Sequence, residues 1–218
     1  MIHIAIPARK GSKRLKDKNK VDVNGQPLVQ YTINFALLAL KHELVHSASI
    51  ITDDLHVLNL AENTCIDTSY SRPSELSVDS TSTTATIRHW INFKNFSSED
   101  NILLLQPTSP FRYIKDLIQI TERNLDPFQM LYGVVLLPGK SGDYLTMSER
   151  NFFHKDKNVY FTDGSYYLTS VKRIQSEVGL EVQNTDDFFV TSIPYPIDID
   201  TPRDLESLKY LKLNELHD

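Results

Sequence analysis

Ile4 to Asn19, reading IAIPARKGSKRLKDKN, sets a short uncharged run directly before a loop in which Arg9, Lys10, Lys13, Arg14, Lys16 and Lys18 crowd ten positions. A loop of this kind can hold polyphosphate. Backbone amides of a tight Gly11-Ser12 turn can point at phosphate oxygens, while guanidinium forks and ammonium point charges neutralise them. The sequence matches neither G-x-x-x-x-G-K-[ST] nor G-x-G-x-x-G. Far downstream, PIDIDTPRDL places Asp198 and Asp200 two residues apart, hence on one face of an extended segment. Two carboxylates so related can hold one Mg2+, a hard cation that is shared with nucleotide phosphates. Blander readings stand beside these: a basic run is most often solvated surface, and Asp200 can be the N-cap of the last helix, although no cap explains Asp198. Together, a cationic loop and a carboxylate pair suit phosphoryl or nucleotidyl transfer, which relies on positioning and charge neutralisation.

Two further polar clusters follow apolar runs. In RPSELSVDSTST, Arg72 to Thr83, hydroxyls surround one Arg and one Asp; taken alone it reads as a turn and cap before a helix. In QPTSPFR, Gln106 to Arg112, the Gln amide presents donor and acceptor side by side and can read a nucleobase edge, with Pro107 and Pro110 stiffening the loop; taken alone it is a rigid strand-to-helix turn.

The elements that must position these clusters alternate. Met1–Ile6, Ser49–Thr52, Ile102–Leu105, Met130–Leu137 and a short Tyr166–Leu168 read as strands. Asn24-Gly25 gives a turn before a helix over Leu28–Leu40, Asp53-Asp54 caps a helix reaching Asn63, and Thr83–Phe96, Ile114–Arg123 and Pro202–Leu213 read as further helices. Such alternation predicts an α/β domain with a mostly parallel sheet covered on both faces, in which ligands bind outside the carboxyl ends of strands. Residues 138–165 break the rhythm and are the expected place for an inserted arm whose aromatics meet a second subunit; loops of that length are otherwise uncommon in compact domains. A chain of 218 residues with 40% hydrophobic and 23% charged residues suits one domain, 1–218. The net charge of −5 argues against general nucleic-acid binding. No apolar run has bilayer-spanning length and no signal-peptide pattern opens the chain, so a cytoplasmic protein is expected. Cys65, the single cysteine, excludes an intrachain disulfide and a cysteine zinc cage, and is expected to be buried or half-buried.

Six blocks, IPARKGSKRLKDKN, TDD at Thr52 to Asp54, RPSELSVD, LLLQPTSPFR, DGSYYL at Asp163 to Leu168, and DIDTPRDLE, occur in order over nearly the whole chain. With them the chain resembles the acylneuraminate cytidylyltransferase family, the CMP-sialic acid synthetases and their nonulosonate-activating relatives. The resemblance implies a three-layer Rossmann-like nucleotidyltransferase fold, CTP with Mg2+ or Mn2+, and a homodimer whose inserted arm reaches the partner's site. It implies that Arg9, Lys13 and Lys18 bind triphosphate, Asn19 contacts the nucleotide, and Arg72, Thr83 and Gln106 form the cytosine and ribose region, with Thr83 where Ser is usual. Asp198 and Asp200 match metal-binding carboxylates, and Gln106, Asp163 and Tyr167 fall in the sugar-acid region. In the implied reaction the anomeric 2-hydroxyl of a sugar acid attacks the α-phosphorus of CTP, with Arg9, Lys18 and the metal on Asp200 as the catalytic groups and no general base assigned.

The departures from that family gather on the sugar side. Lys16 stands where Pro is usual, Asp163 where Asn is usual, and Phe153 where an Arg is usual. An Asp facing a carboxylate substrate is repulsive unless protonated or turned away. His154, Lys155 or Lys157 are candidates to replace the missing charge. The acid is accordingly open among sialic, legionaminic and pseudaminic acids and an eight-carbon 3-deoxy acid, and a catalytically inactive nucleotide-binding relative is a further alternative.

Overall fold

The computed structural model of the chain describes residues 1–137, 152–155, 158–193 and 197–208, with backbone only for 152–154. In chain order, β1 (Ile2–Pro7), β2 (Asp22–Val23) and β3 (Gln26–Pro27) precede α1 (Leu28–Lys41). Then follow β4 (Ser47–Ile51), α2 (Leu55–Ala61), α3 (Thr83–Lys94), β5 (Asn101–Leu104) and α4 (Ile114–Thr121). The remainder is β6 (Met130–Leu137), β7 (Phe152–Lys155), β8 (Asn158–Ser170), α5 (Val171–Gln175), β9 (Asp187–Val190) and α6 (Pro202–Ser207). The main sheet runs β4-β1-β5-β8-β6-β9, with β7 paired to β8. β1 is parallel to both β4 and β5, and β6 to β9, whereas β8 is antiparallel to each neighbour, so the sheet is mostly parallel as the alternation predicted.

Period-two alternation explains why both faces are covered. On β1, Ile4 and Ile6 pack with Val29, Ile33 and Ala36 of α1 and Leu117 of α4, while Ala5 turns to the other face and joins Ile87, Trp90 and Ile91 of α3. β5 repeats the pattern, with Leu103 on the α1 side and Ile102 and Leu104 on the α3 side. Each fully buried aliphatic side chain of this kind is worth about 1.5–3 kcal/mol. Trp90 is fully buried, with Phe96 edge-on at 5.0 Å.

Local signals set the element ends. Asn24 and Gly25 take φ 51 and 87, the left-handed pair that a two-residue hairpin between β2 and β3 requires. Asp54 caps α2 through the His56 amide, and Ser82 caps α3 through the Ala85 amide. At α6 the cap is Thr201, closed into a capping box by Asp204, which leaves Asp200 outside the helix and overturns its reading as N-cap. Helix α6 is described only to Ser207; the rest of the predicted Pro202–Leu213 helix lies outside the described residues.

Two further expectations change. The strand predicted over Tyr166–Leu168 is thirteen residues long, because Val159–Thr162 continue its pairing along Val134–Leu137 of β6. It takes in 158–165 of the segment expected to form the arm; residues 138–151 and 156–157 lie outside the described residues. Cys65 is exposed rather than buried, since it sits in the turn after α2 where Asn63 adopts φ 62. Among the described residues no helix is long and apolar enough to cross a membrane.

Candidate active site

The cleft lies where β1 and β5 end at their carboxyl side. Its lining comes from the loop after β1 (Pro7, Arg9, Ser12, Arg14, Lys18, Asn19), from Arg72 and Thr81, from the start of α3 (Thr83, Thr86), from the loop after β5 (Gln106, Pro107, Thr108), and from Asp198 and Asp200. It encloses about 250 Å³.

One apolar cluster holds three of these segments together. Leu15 of the cationic loop, Phe111 of the loop after β5, and Ile197 and Ile199 beside the carboxylates pack with Val23, Leu28 and Tyr31. Residues 197–200 alternate, so burying Ile197 and Ile199 turns Asp198 and Asp200 toward the cleft. The Ile199 amide donates to the Thr108 carbonyl at 2.8 Å and locks the segment against the loop after β5.

Charges face one another across the cleft. Lys18 Nζ lies 2.7 Å from Asp200 Oδ1 and Arg14 Nη2 2.6 Å from Asp200 Oδ2. Arg9 pairs with Asp79, and Lys13 Nζ lies 2.6 Å from the second oxygen of the same carboxylate. Asn19 Nδ2 donates to the Arg9 carbonyl at 3.0 Å and so closes the cationic loop on itself. Asp198 differs from Asp200: its Oδ1 is buried with no hydrogen-bond partner. Burial, with the Asp200 charge second, pushes its carboxyl up to about 6, while a hydrogen bond from Thr108 pulls it back down. A buried, orphaned carboxylate oxygen beside a second carboxylate is a donor set that fits a hard divalent cation. Among the described residues no group of three or more His, Cys, Asp or Glu could hold a metal, so further ligands would come from phosphate or water.

The wall that carries Arg72 and Gln106 is built by buried supports. Arg72 is buried and donates Nε to the Leu76 carbonyl at 3.1 Å, fixing the turn before α3; burial lowers its pKa. Gln106 is held from behind by Arg112, whose Nη2 donates to the Gln106 carbonyl at 2.8 Å, Nε to the Ser165 carbonyl at 2.7 Å and Nη1 to Thr32 Oγ1 at 3.0 Å. Burial lowers the Arg112 guanidinium to about 10, so it is charged at neutral pH. Gly164, at φ +73, presses directly on the Gln106 side chain: a Cβ there would stand 2.8 Å from Gln106 Oε1.

The structure brings Arg9, Lys18, Asn19, Arg72, Thr83, Gln106, Asp198 and Asp200 into one cleft, with Lys13 at its rim on Asp79. Asp163, expected in the sugar-acid region, is not among the residues that line this cleft. It is buried and turned inward, accepting from Ser165 N at 2.9 Å and Ser165 Oγ at 2.6 Å, with Thr191 Oγ1 at 3.4 Å. Burial raises its pKa. The inward turn follows from a bulge in which residues 163–166 of β8 face only Gly133 of β6, where a Cβ would stand 2.5 Å from Ser165 Oγ. Tyr167 lies beside the cleft, packed between the Trp90 and Tyr132 clusters, with burial first and then Asp163 and Asp198 raising its hydroxyl pKa. Lys155 stands over the Phe188 ring at 4.7 Å. Lys157 and the side chains of Phe153 and His154 lie outside the described residues.

Arg14, to which the sequence assigns no role of its own, lines the cleft and pairs with Asp200. Ser12 of the expected turn lines it too, and so do Thr81, Thr86 and Thr108, which had not been singled out. Thr86 had a signal, since it falls one turn after Thr83 on the same face of α3.

A family model described as cytidylyltransferase matches residues 3–217. The chain is 27% identical over 226 residues to CMP-N,N'-diacetyllegionaminic acid synthase of Legionella pneumophila, covering 96% of each chain. It is 28% identical over 222 residues to pseudaminic acid cytidylyltransferase of Campylobacter jejuni, covering 94% of each. Among solved structures, a CMP:2-keto-3-deoxy-manno-octonic acid synthetase complexed with CTP superposes with a TM-score of 0.68 at 18% identity, over 99% of both chains, a likeness of fold.

Proposed function

The chain belongs to the cytidylyltransferase family, and from that premise we propose that it transfers CMP from CTP to the anomeric 2-hydroxyl of a nonulosonic acid, with release of pyrophosphate. The observation that carries this reading is the single cleft in which the cationic loop after β1 faces Asp198 and Asp200, with Gln106 and Arg72 on the adjoining wall. The names of the two relatives, which refer to legionaminic and pseudaminic acids, support a nonulosonic acid as acceptor.

Arg9, Lys13 and Lys18 bind the triphosphate, and Arg9 and Lys18 stabilise the charge that grows on departing pyrophosphate. Gln106 reads the cytosine edge from a loop that Arg112 fixes, while Arg72, Thr83 and Asn19 complete the nucleoside wall. The carboxylates of Asp198 and Asp200 hold a divalent cation, Mg2+ or Mn2+, which when bound screens the phosphates and makes the attacking hydroxyl more acidic. The acceptor oxygen forms its bond to the α-phosphorus as the bond to the bridging oxygen of the β-phosphate breaks, pyrophosphate leaves with that oxygen, and the hydroxyl proton passes to solvent water. Tyr167 lies at the acceptor side. Charge repulsion from Asp163 does not arise there, because that carboxylate is turned inward against Ser165 and Thr191. The enzyme works as a homodimer.

Pyrophosphate release is expected only when CTP, Mg2+ and a nonulosonic acid are present together, and Asp200→Ala is expected to abolish it. Undiminished release by that variant would contradict the assignment of the carboxylate pair.

A further inference from the structure

Asp79 is the aspartate of RPSELSVDSTST, and the nucleotide-transfer reading gives it no role. Its carboxylate reaches the cationic loop and pairs with two side chains at once, Arg9 through Nη2 and Lys13 through Nζ. Lys13 is mostly exposed, whereas Arg9 and Asp79 are each about one-third exposed, so water reaches all three. The two hydrogen bonds, Lys13's first, hold the Asp79 carboxyl below its ordinary value, so it is ionised at neutral pH. The loop bearing Asp79 is itself anchored: Arg72 Nε donates to the Leu76 carbonyl, Thr81 Oγ1 to the Glu75 carbonyl at 3.3 Å, and Ser82 caps α3. Asp79 is thus held within reach of Arg9 and Lys13 by a structured turn.

We propose that Asp79 is an internal counter-anion that competes with the polyphosphate group for Arg9 and Lys13, and thereby sets how tightly pyrophosphate is retained after transfer. The proposal rests on the reading above, in which those two cations bind the triphosphate. A polyphosphate carries several negative charges and a carboxylate one, so CTP displaces Asp79 from these solvent-exposed pairs, which are individually weak. After the bond to the α-phosphorus has broken, pyrophosphate is no longer held through the nucleoside. The carboxylate then re-forms its pairs with Arg9 and Lys13 in competition with it. Asp79 lowers affinity for every ligand that needs these two cations and leaves unchanged any ligand that does not, which makes it a residue for discrimination among ligands.

The test is calorimetric titration with inorganic pyrophosphate and, separately, with cytidine, on wild type, Asp79→Asn, Asp79→Ala, Arg9→Ala and the Arg9→Ala/Asp79→Asn double variant. Both Asp79 variants are expected to bind pyrophosphate about threefold to tenfold more tightly at low ionic strength, a gain that shrinks in high salt and in the Arg9→Ala background. Cytidine affinity is expected to be unchanged. Wild-type or weaker pyrophosphate affinity in both Asp79 variants, with Arg9→Ala weakened, would overturn this inference and leave the proposed function standing. Pyrophosphate that fails to bind wild type, or binds Arg9→Ala as well as wild type, would overturn the triphosphate reading and the inference with it.

Discussion

Asp198 shows what a buried carboxylate costs a fold. Its Oδ1 is buried without a partner, and its pKa is raised from 3.8 to about 6, by burial first and by the Asp200 charge second. The folded state therefore binds this proton more tightly than the unfolded chain does, and stability falls as pH rises through about 4 to 6. Above that window the ionised carboxylate destabilises the metal-free protein by about 2–3 kcal/mol. Asp198→Asn is accordingly expected to melt higher than wild type at pH 8 without divalent cation, with the gap closing toward pH 4, and to lose nucleotidyl transfer. Thermal melts across pH check the first expectation; an unchanged Tm difference between pH 8 and pH 4 would contradict it. Asp200 is unlike its neighbour, because Lys18 and Arg14 already pair with both of its oxygens. Lys18→Ala is expected to weaken CTP binding without removing the carboxylate pair, measured as a raised KM for CTP.

The loop after β5 and the bulge of β8 act as a unit whose joint is Gly164. Alanine there would face both the left-handed φ of +73 and a Cβ 2.8 Å from Gln106 Oε1 and 2.9 Å from Ser109 Oγ. Gly164→Ala is expected to cost about 1–3 kcal/mol in urea unfolding and to raise KM for CTP by displacing Gln106. Arg112→Met should act on the same unit from behind, leaving the Gln106 and Ser165 carbonyls without that donor at a cost of about 2–4 kcal/mol. Much of this arrangement was legible in the chain. The cationic loop, Gln106 and the Asp198/Asp200 pair each follow or adjoin a readable apolar pattern, and the structure gathers them. The inward turn of Asp163 was not legible, because it depends on the register of β8 against Gly133 of β6, a long-range pairing that local pattern does not encode. The length of β8 was missed for the same reason: residues 158–165 read NVYFTDGS, with no period-two pattern, and pairing with β6 and β7 is what makes them part of a strand. Asp200 was legible as a carboxylate but not as one released from capping, since the choice between Asp200 and Thr201 as cap rests on the Asp204 hydrogen bonds.

At the scale of the molecule, two apolar layers flank the sheet and a third cluster, formed around Leu15, Phe111, Ile197 and Ile199, gathers the loops at its carboxyl edge. Away from the cleft, a buried pair of Arg173 and Asp186, with Arg173 also donating to the Phe128, Gly179 and Glu181 carbonyls, ties the segment after α5 to the sheet. Asp186→Ala leaves that guanidinium unpaired and is expected to cost about 3–5 kcal/mol with catalytic constants little changed in the fraction that remains folded, measured by chemical unfolding and steady-state kinetics. The proposed homodimer is checked by light scattering, which should return twice the mass of one chain. The central claim, CMP transfer from CTP to a nonulosonic acid, is tested most directly by pyrophosphate release scored over the four ribonucleoside triphosphates crossed with a panel of 2-keto sugar acids. Mg2+-dependent release confined to CTP with a nonulosonic acid is the predicted result, and no release with any pair, or release only with the eight-carbon acid or another nucleotide, would contradict it.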